Sequence, residues 1–205
     1  DKEGYRVIEC FSNFKKINFR ASMDSKLTTT KNRLVGQGGQ HICRWDREEK
    51  YTGVDAFHRL LGDLQVQDIV CVSDYAKGTV REGTIQKLLK RDCKILVDPK
   101  QNAELYRGAF LVKPNLREFK NWFGKFSKEK AKKAVKDYNW SWLVVTAGAN
   151  GMHVFNNKGE YKHFQEPAQE VADVTGAGDT VLAVLAYLID EGYDVFDACE
   201  KACYA

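Results

Sequence analysis

Beyond residue 68, apolar residues follow two alternating patterns, short continuous runs and runs at helical spacing. The continuous runs predict buried β-strands over residues 69–73, 94–98, 109–112 and 142–146. The runs at helical spacing predict helices over about 80–91, 116–122 and 128–138. Strands that alternate with helices favour a mostly parallel sheet with helices on both faces. The predicted fold class is therefore α/β, with a three-layer, mostly parallel sheet.

Other patterns predict elements at the periphery of that sheet. Alternating runs joined by a glycine-rich or polar turn predict β-hairpins over 28–46 and 152–164. Apolar positions within residues 54–65 recur at helical spacing and predict a helix. Residues 1–20 are poorly periodic, and we expect one short strand over residues 5–10.

Residues 173–180, Asp-Val-Thr-Gly-Ala-Gly-Asp-Thr, precede an apolar run and carry the strongest chemical signal. Such a loop leaves backbone N–H groups free at a helix N-terminus, where they attract an anion. Asp179 adds a carboxylate at the same place, which suits a base that deprotonates a hydroxyl while the N–H groups hold a phosphoryl group. The segment therefore indicates a phosphotransferase.

Polar loops follow the predicted strands. The carboxyl ends of parallel strands open onto one edge of the sheet, where α/β proteins bind ligands. Three charged residues in these loops are candidate substrate contacts, and simple solvation of a loop is the alternative for each. They are Asp74, Lys77 and Lys100.

Further residues at this edge allow a structural or a functional interpretation. Asn115 and Glu118 either cap a helix or hold Mg²⁺ through water beside phosphates. Thr146 and Gly148 either end a strand or approach a nucleotide phosphate closely. Asp173 either bonds its own backbone or faces a cation near the phosphates.

Composition and missing motifs exclude other classes of function. The 32 basic and 28 acidic residues leave a net charge of +4, which is too small to indicate a nucleic-acid partner. No apolar run is long enough to span a bilayer. The six cysteines lack metal-ligand spacing, so reduced thiols and a cytoplasmic location are expected. P-loop and dinucleotide-binding glycine motifs are absent.

With these residues, the chain resembles the ribokinase-like (PfkB) carbohydrate kinases, because residues 173–180 are similar to the family's C-terminal signature. The resemblance implies that Asp179 is the catalytic base and that the amides of residues 176–178 form the anion hole. It also implies that Asp173 and Thr175 bind a monovalent cation, for which K⁺ is the candidate.

The same resemblance assigns roles at the nucleotide and metal. Asn115 and Glu118 match the family's N-x-x-E element, which is associated with Mg²⁺ and phosphate. Thr146 and Gly148 match its nucleotide-side turn, and Asn115 is assigned to the nucleotide with them. ATP and Mg²⁺ are therefore the implied cosubstrate and cofactor.

Several segments resemble more particularly the kinase domain of bifunctional heptose enzymes. This likeness implies phosphorylation of D-glycero-D-manno-heptose 7-phosphate at its C1 hydroxyl, on the route to ADP-heptose and lipopolysaccharide. Lys31 and Arg33 are then contacts for the sugar's phosphate, with solvated strand charges as the alternative. The segments are 29–33, 73–78, 97–100, 106–109 and 114–119.

The expected domain is one partial kinase domain over residues 1–205, truncated at both ends, in which the N-terminal sugar-binding segment and the C-terminal end are missing. We expect a homodimer that binds neither nucleic acid nor membrane. Two alternatives remain open. One is another sugar kinase of this family, acting on ribose, fructose or a sugar phosphate. The other is a non-catalytic nucleotide-binding remnant.

Overall fold

The computed structural model describes residues 1–12, 26–37, 40–50, 68–165 and 176–204. The chain divides into two compact units, Asp1–Arg59 with Lys77–Thr79, and Leu60–Ala76 with Val80–Ala205. No helix in these described ranges is long and apolar enough to cross a membrane. The six cysteines are all free thiols.

The first unit contains the predicted hairpin. Strands β1 (Thr30–Val35) and β2 (His41–Arg47) pair antiparallel. The Gly36 N–H donates to the Gln40 carbonyl at 2.8 Å and closes the turn. The hairpin prediction is therefore confirmed, although residues 38–39 of its turn lie outside the described residues.

The N-terminal segment is a helix, α1 (Lys2–Ser12), and the strand predicted over residues 5–10 was wrong. Val7 and Phe11 are four residues apart, as a helical face requires. The Asp1 carboxylate accepts from the Gly4 N–H at 2.8 Å, which satisfies one of the free donors of the first turn. A helix start near the N-terminus was therefore visible in the sequence. The helix predicted over 54–65 lies outside the described residues.

The second unit contains a six-stranded sheet in the order β3-β4-β5-β6-β7-β8. Strands β3 to β6 are parallel to one another, whereas β7 is antiparallel to β6 and β8 is antiparallel to β7. The second predicted hairpin is thus present as β7 and β8, but it extends the main sheet. The strands are β3 (Ile69–Ser73), β4 (Lys94–Asp98), β5 (Leu111–Val112), β6 (Trp142–Thr146), β7 (Met152–Asn156) and β8 (Tyr161–Phe164).

Helices of this unit lie close to their predicted positions. Two short 3₁₀ turns, Ala103–Tyr106 and Gly148–Asn150, follow β4 and β6. Neither turn shows a periodic pattern in the sequence, because one turn is too short to repeat. The helices are α2 (Glu82–Leu89), α3 (Leu116–Phe123), α4 (Lys128–Asp137), α5 (Ala177–Asp190) and α6 (Val195–Ala202).

Both faces of the sheet are covered. Helices α5 and α6 bury their apolar side chains against Leu96, Leu111 and Val144 on one face. Alternate residues of a strand point to opposite faces, so Phe155 lies across the sheet from Val154. Its ring contacts Phe126, in the connection between α3 and α4. The result is the predicted three-layer architecture.

Candidate active site

The carboxyl ends of the parallel strands form the edge that carries the predicted chemistry. Strand β3 ends at Ser73, β4 at Asp98 and β6 at Thr146, while Lys113 follows β5 directly. Main-chain bonds fix the connecting loops. The Asp74 N–H donates to the Asp98 carbonyl at 3.0 Å, and the Lys113 N–H donates to the Val97 carbonyl at 2.9 Å.

Helix α5 begins at this edge with an open N-terminus. Its N-cap is Gly176, with a φ of 85°, a left-handed conformation that glycine adopts without steric cost. Among the described residues no side chain caps this helix. The first N–H groups of a helix have no intrahelical partner, so those of Ala177 and Gly178 are available to an anion.

Asp179 lies in the first turn of α5, and its two carboxylate oxygens accept hydrogen bonds from the last residue of β3 and from the loop that follows. The Ser73 hydroxyl donates to Oδ1 at 3.0 Å, and the Tyr75 hydroxyl donates to Oδ2 at 2.9 Å. Burial and the bond to Asp179 raise the pKa of the Tyr75 phenol. Tyr75 therefore keeps its proton and remains a donor at neutral pH.

A buried ion pair lies against the same turn of α5. The Lys113 side chain is 3% exposed, and its ammonium donates to Asp98 Oδ2 at 3.1 Å. A Cβ placed on Gly178 would lie 3.4 Å from Lys113 Nζ and 3.5 Å from Asp98 Oδ2. Both charges of this pair therefore lie beside Gly178, a residue of the predicted anion hole.

Asn115 and Glu118 form a complete capping box at the start of α3. The Asn115 side chain accepts from the Glu118 N–H at 2.9 Å, and Glu118 Oε2 accepts from the Asn115 N–H at 2.8 Å. Lys100 donates to Glu118 Oε1. Burial lowers the pKa of the Lys100 ammonium, but the bond to Glu118 and the nearby carboxylates outweigh it and raise that pKa overall.

This donor set fits Mg²⁺ through water rather than by direct ligation. Within the described ranges, no group of three or more His, Cys, Asp or Glu side chains surrounds a common point. The Glu118 carboxylate keeps acceptor capacity beside its present bonds, because a carboxylate has about four lone-pair sites. Mg²⁺ usually keeps several waters and is held by one or two carboxylates plus phosphates, which is the arrangement available here.

Thr146 and Asn115, assigned to the nucleotide, are neighbours in space. They form a parallel bridge, and the Thr146 N–H donates to the Pro114 carbonyl at 3.0 Å. Gly148 has a φ of 58° in the turn that follows, and a Cβ there would meet no atom within 4 Å. The turn therefore has space beside it, and the nucleotide roles of these residues stay predictions.

Asp74, a predicted substrate contact, is 3% exposed and bonded to the protein. Its carboxylate accepts from the Tyr106 hydroxyl at 2.5 Å, the Gln101 side chain at 2.8 Å and the Ala76 N–H at 2.8 Å. Burial and the bond to Asp74 raise the pKa of Tyr106 far above its usual value. These bonds indicate that Asp74 holds its loop in shape.

Three further predicted contacts belong to the first unit, and two predicted cation ligands are not described. Lys31, Arg33 and Lys77 belong to the first unit, where Lys77 forms an ion pair with Glu48. The predicted ligands of the monovalent cation, Asp173 and Thr175, lie outside the described residues.

Sequence reasoning singled out Asp74 and overlooked Ser73 and Tyr75 on either side of it. The sequence did contain a signal for them. Side chains alternate in direction along an extended segment, so Ser73 and Tyr75 point the opposite way from Asp74. Lys113 was overlooked because a lysine after a strand normally lies in solvent.

Comparison with known proteins identifies the family of the chain. The model of pfkB family carbohydrate kinases matches residues 18–205. The bifunctional protein HldE of Vibrio parahaemolyticus serotype O3:K6 is 38% identical over 186 residues, which are 85% of this chain and 39% of that relative. The chain thus spans well under half the length of this curated relative.

Solved structures show the same fold at lower identity. Ribokinase from Thermotoga maritima matches 99% of this chain and 69% of its own, with a TM-score of 0.76 at 20% identity. A double mutant of fructokinase from Vibrio cholerae O395, bound to fructose, ADP and a potassium ion, matches 69% of this chain and 53% of its own, with a TM-score of 0.57 at 21% identity. The predicted ribokinase-like fold class is confirmed. From the extent of the family match and the identity to the HldE relative, we conclude that this chain belongs to the pfkB family of carbohydrate kinases.

Proposed function

We propose that this chain carries the catalytic edge of an ATP-dependent sugar kinase. The observation that supports this most is the position of Asp179 in the first turn of α5, whose N-terminus no described side chain caps. Asp179 takes the proton of the sugar hydroxyl as the hydroxyl oxygen bonds to the γ-phosphorus and the bond from that phosphorus to the β-phosphate oxygen breaks. The amides of Gly176, Ala177 and Gly178 stabilise the charge on the transferring group.

Other residues of the edge bind the nucleotide and the metal. Thr146, Gly148 and Asn115 lie beside the phosphates, and Asn115 with Glu118 holds Mg²⁺ through water. Mg²⁺ supplies neutralisation of phosphate charge in such reactions. Asp173 and Thr175 hold a monovalent cation, as the potassium ion in the fructokinase structure suggests.

The proposed acceptor is D-glycero-D-manno-heptose 7-phosphate, phosphorylated at C1 toward ADP-heptose and lipopolysaccharide. The segments that resemble bifunctional heptose enzymes support this choice, and the 38% identity to a bifunctional HldE protein agrees with it. Directly paired residues of an antiparallel sheet share a face, so Lys31 and Arg33 lie with Arg44 and Asp46. Arg44 already binds Asp46, which leaves this face with an excess of positive charge suited to the sugar's phosphate. Lys77 and Lys100 stay predicted substrate contacts, whereas the burial and the bonds of Asp74 favour a role in holding its loop.

Neutralising that charged face is expected to separate phosphorylated from neutral acceptors. In Lys31→Gln/Arg33→Gln, the loss of two charged hydrogen bonds is expected to raise the KM for a sugar phosphate on the order of 10²-fold. The KM for ATP is expected to stay unchanged. Steady-state kinetics measure both constants.

Arg47→Gln is the matched control, because it removes a strand cation from the other face of the same hairpin. A double variant with the wild-type KM for the sugar phosphate would contradict a phosphate contact at Lys31 and Arg33.

The test of the proposed function is ADP release by the full-length protein with a panel of sugars. The panel contains the heptose 7-phosphate, ribose, fructose and fructose phosphates, each with Mg·ATP. ADP release that depends on the heptose phosphate is the expected result. ADP release with a different sugar would support kinase activity but contradict the heptose phosphate as its acceptor. No release with any sugar would contradict catalysis.

We propose further that the protein is a cytoplasmic homodimer that pairs through the hairpin. Leu34 and Trp45 share the face opposite Lys31 and Arg33 and are 48% and 57% exposed. A lone two-stranded sheet is marginally stable in water, so covering this face with a second copy would stabilise it. The free thiols agree with a reducing compartment. Light scattering of the full-length protein, compared with Trp45→Lys, tests the dimer, and an unchanged mass would contradict it.

A further inference from the structure

Asp179, as the proposed base, must be oriented precisely toward the hydroxyl that it deprotonates, and contacts from outside its own helix contribute to that orientation. Ser73 and Tyr75 approach it across 106 and 104 residues of sequence, at 3.0 and 2.9 Å. Each hydroxyl donates to a different carboxylate oxygen, so rotation of the carboxylate breaks at least one bond. Two donors therefore fix both the position and the plane of the group.

The loop that carries the two hydroxyls is itself anchored. Asp74, between them, is buried and accepts from the Tyr106 hydroxyl, the Gln101 side chain and the Ala76 N–H. Ser73 is the last residue of β3 and lies in register with Asp98 of β4. Because neighbouring residues of an extended chain point to opposite sides, anchoring Asp74 on one side presents Ser73 and Tyr75 on the other.

Retention of the proton makes these hydroxyls suitable for the role. Tyr75 stays protonated at neutral pH, for the reasons of burial and contact given above, and a serine hydroxyl is not ionised there. Neither group competes with Asp179 as a base. Both donate to the charged form of the carboxylate and leave its remaining lone pairs for an incoming hydroxyl.

We propose that Ser73 and Tyr75 are positioning residues that hold the Asp179 carboxylate in the orientation required to accept the proton of the sugar hydroxyl. This inference rests on the proposed function, because it assigns the purpose of the two bonds to catalysis by Asp179. The hydrogen bond between Asp74 and Tyr106 holds the segment that carries Ser73 and Tyr75 in place.

Steady-state kinetics of full-length Ser73→Ala and Tyr75→Phe test the proposal. Each variant is expected to lower kcat roughly tenfold, the size of one lost charged hydrogen bond, while the KM values for sugar and ATP stay near wild type. Ser73→Thr keeps a hydroxyl and is expected to recover most of kcat. The matched control is Tyr187→Phe, which removes an exposed phenolic hydroxyl from the same helix as Asp179.

A double-mutant cycle shows whether Ser73 and Tyr75 affect kcat through Asp179. In the Asp179→Asn background, Tyr75→Phe and Ser73→Ala are expected to have almost no further effect on the residual kcat, because the group they orient is gone. Additive losses in that background would overturn the proposal. A raised KM for the sugar with kcat unchanged would also overturn it, since it would make Tyr75 a substrate contact.

The failure of this inference is distinguishable from the failure of the proposed function. Wild-type protein that releases no ADP with any sugar contradicts the kinase itself. Active wild-type protein whose kcat is the same in Ser73→Ala and Tyr75→Phe contradicts only the positioning role.

Discussion

Asp179→Asn in the full-length protein is expected to lower kcat by about 10²–10⁴-fold, the contribution of a well-placed general base. Asparagine has nearly the shape of aspartate but cannot take the proton of the sugar hydroxyl. The KM for ATP is expected to change little, since the amides of residues 176–178 remain. The rate of ADP release at saturating sugar and ATP measures the effect.

Asp190→Asn is the matched control, because it makes the same chemical change at the far end of α5. Its kcat is expected to equal that of wild type, and thermal unfolding of both variants checks that the fold is kept. Wild-type activity in Asp179→Asn would rule out this mechanism.

Lys113→Met is expected to lower the free energy of unfolding by about 3 kcal/mol, toward the lower end for a broken buried pair. The substitution leaves the Asp98 carboxylate without the ammonium that lies 3.1 Å away. The more distant Lys100, at 4.0 Å and 38% exposed, offsets only part of that loss. Equilibrium denaturation in urea measures the change.

Two further variants show whether the loss comes from the unpaired charge. Asp98→Asn/Lys113→Met removes both charges and is expected to recover part of the stability, because no carboxylate is then left unpaired. Lys120→Met removes an exposed lysine from α3 and is expected to fall within about 0.5 kcal/mol of wild type. If Lys113→Met also lowers the free energy of unfolding by no more than about 0.5 kcal/mol, the buried pair is not important for stability.

The fold was largely predictable from the sequence because periodicity is a local property. The run at 94–98 is bounded by charged residues and a proline, and it forms β4 at that place. Helix α1 was missed because its pattern is short and its Asp1 cap was not considered. The attachment of the β7–β8 hairpin to the main sheet could not be predicted, because pairing with β6 depends on distant residues.

The candidate site was predictable in part. Contacts between residues close in sequence could be predicted, and contacts between distant residues could not. Asn115 and Glu118 were seen to be a possible capping box because they are three residues apart, and the structure shows that box complete. Whether the pair also serves Mg²⁺ stays a prediction. Asp74 was predicted to contact substrate because it is charged, yet its side chain is bonded inside the protein. Its uncharged neighbours Ser73 and Tyr75 bind Asp179 instead.

The sequence by itself determined the alternation of strands and helices, the open start of α5 and a carboxylate within its first turn. Each depends on residues within a few positions of one another, where chain geometry leaves few choices. Only the tertiary structure decided that Ser73 and Tyr75 bind that carboxylate and that Lys113 is buried against Asp98. These contacts join separate strand ends, so they exist only once the parallel strands align at one edge.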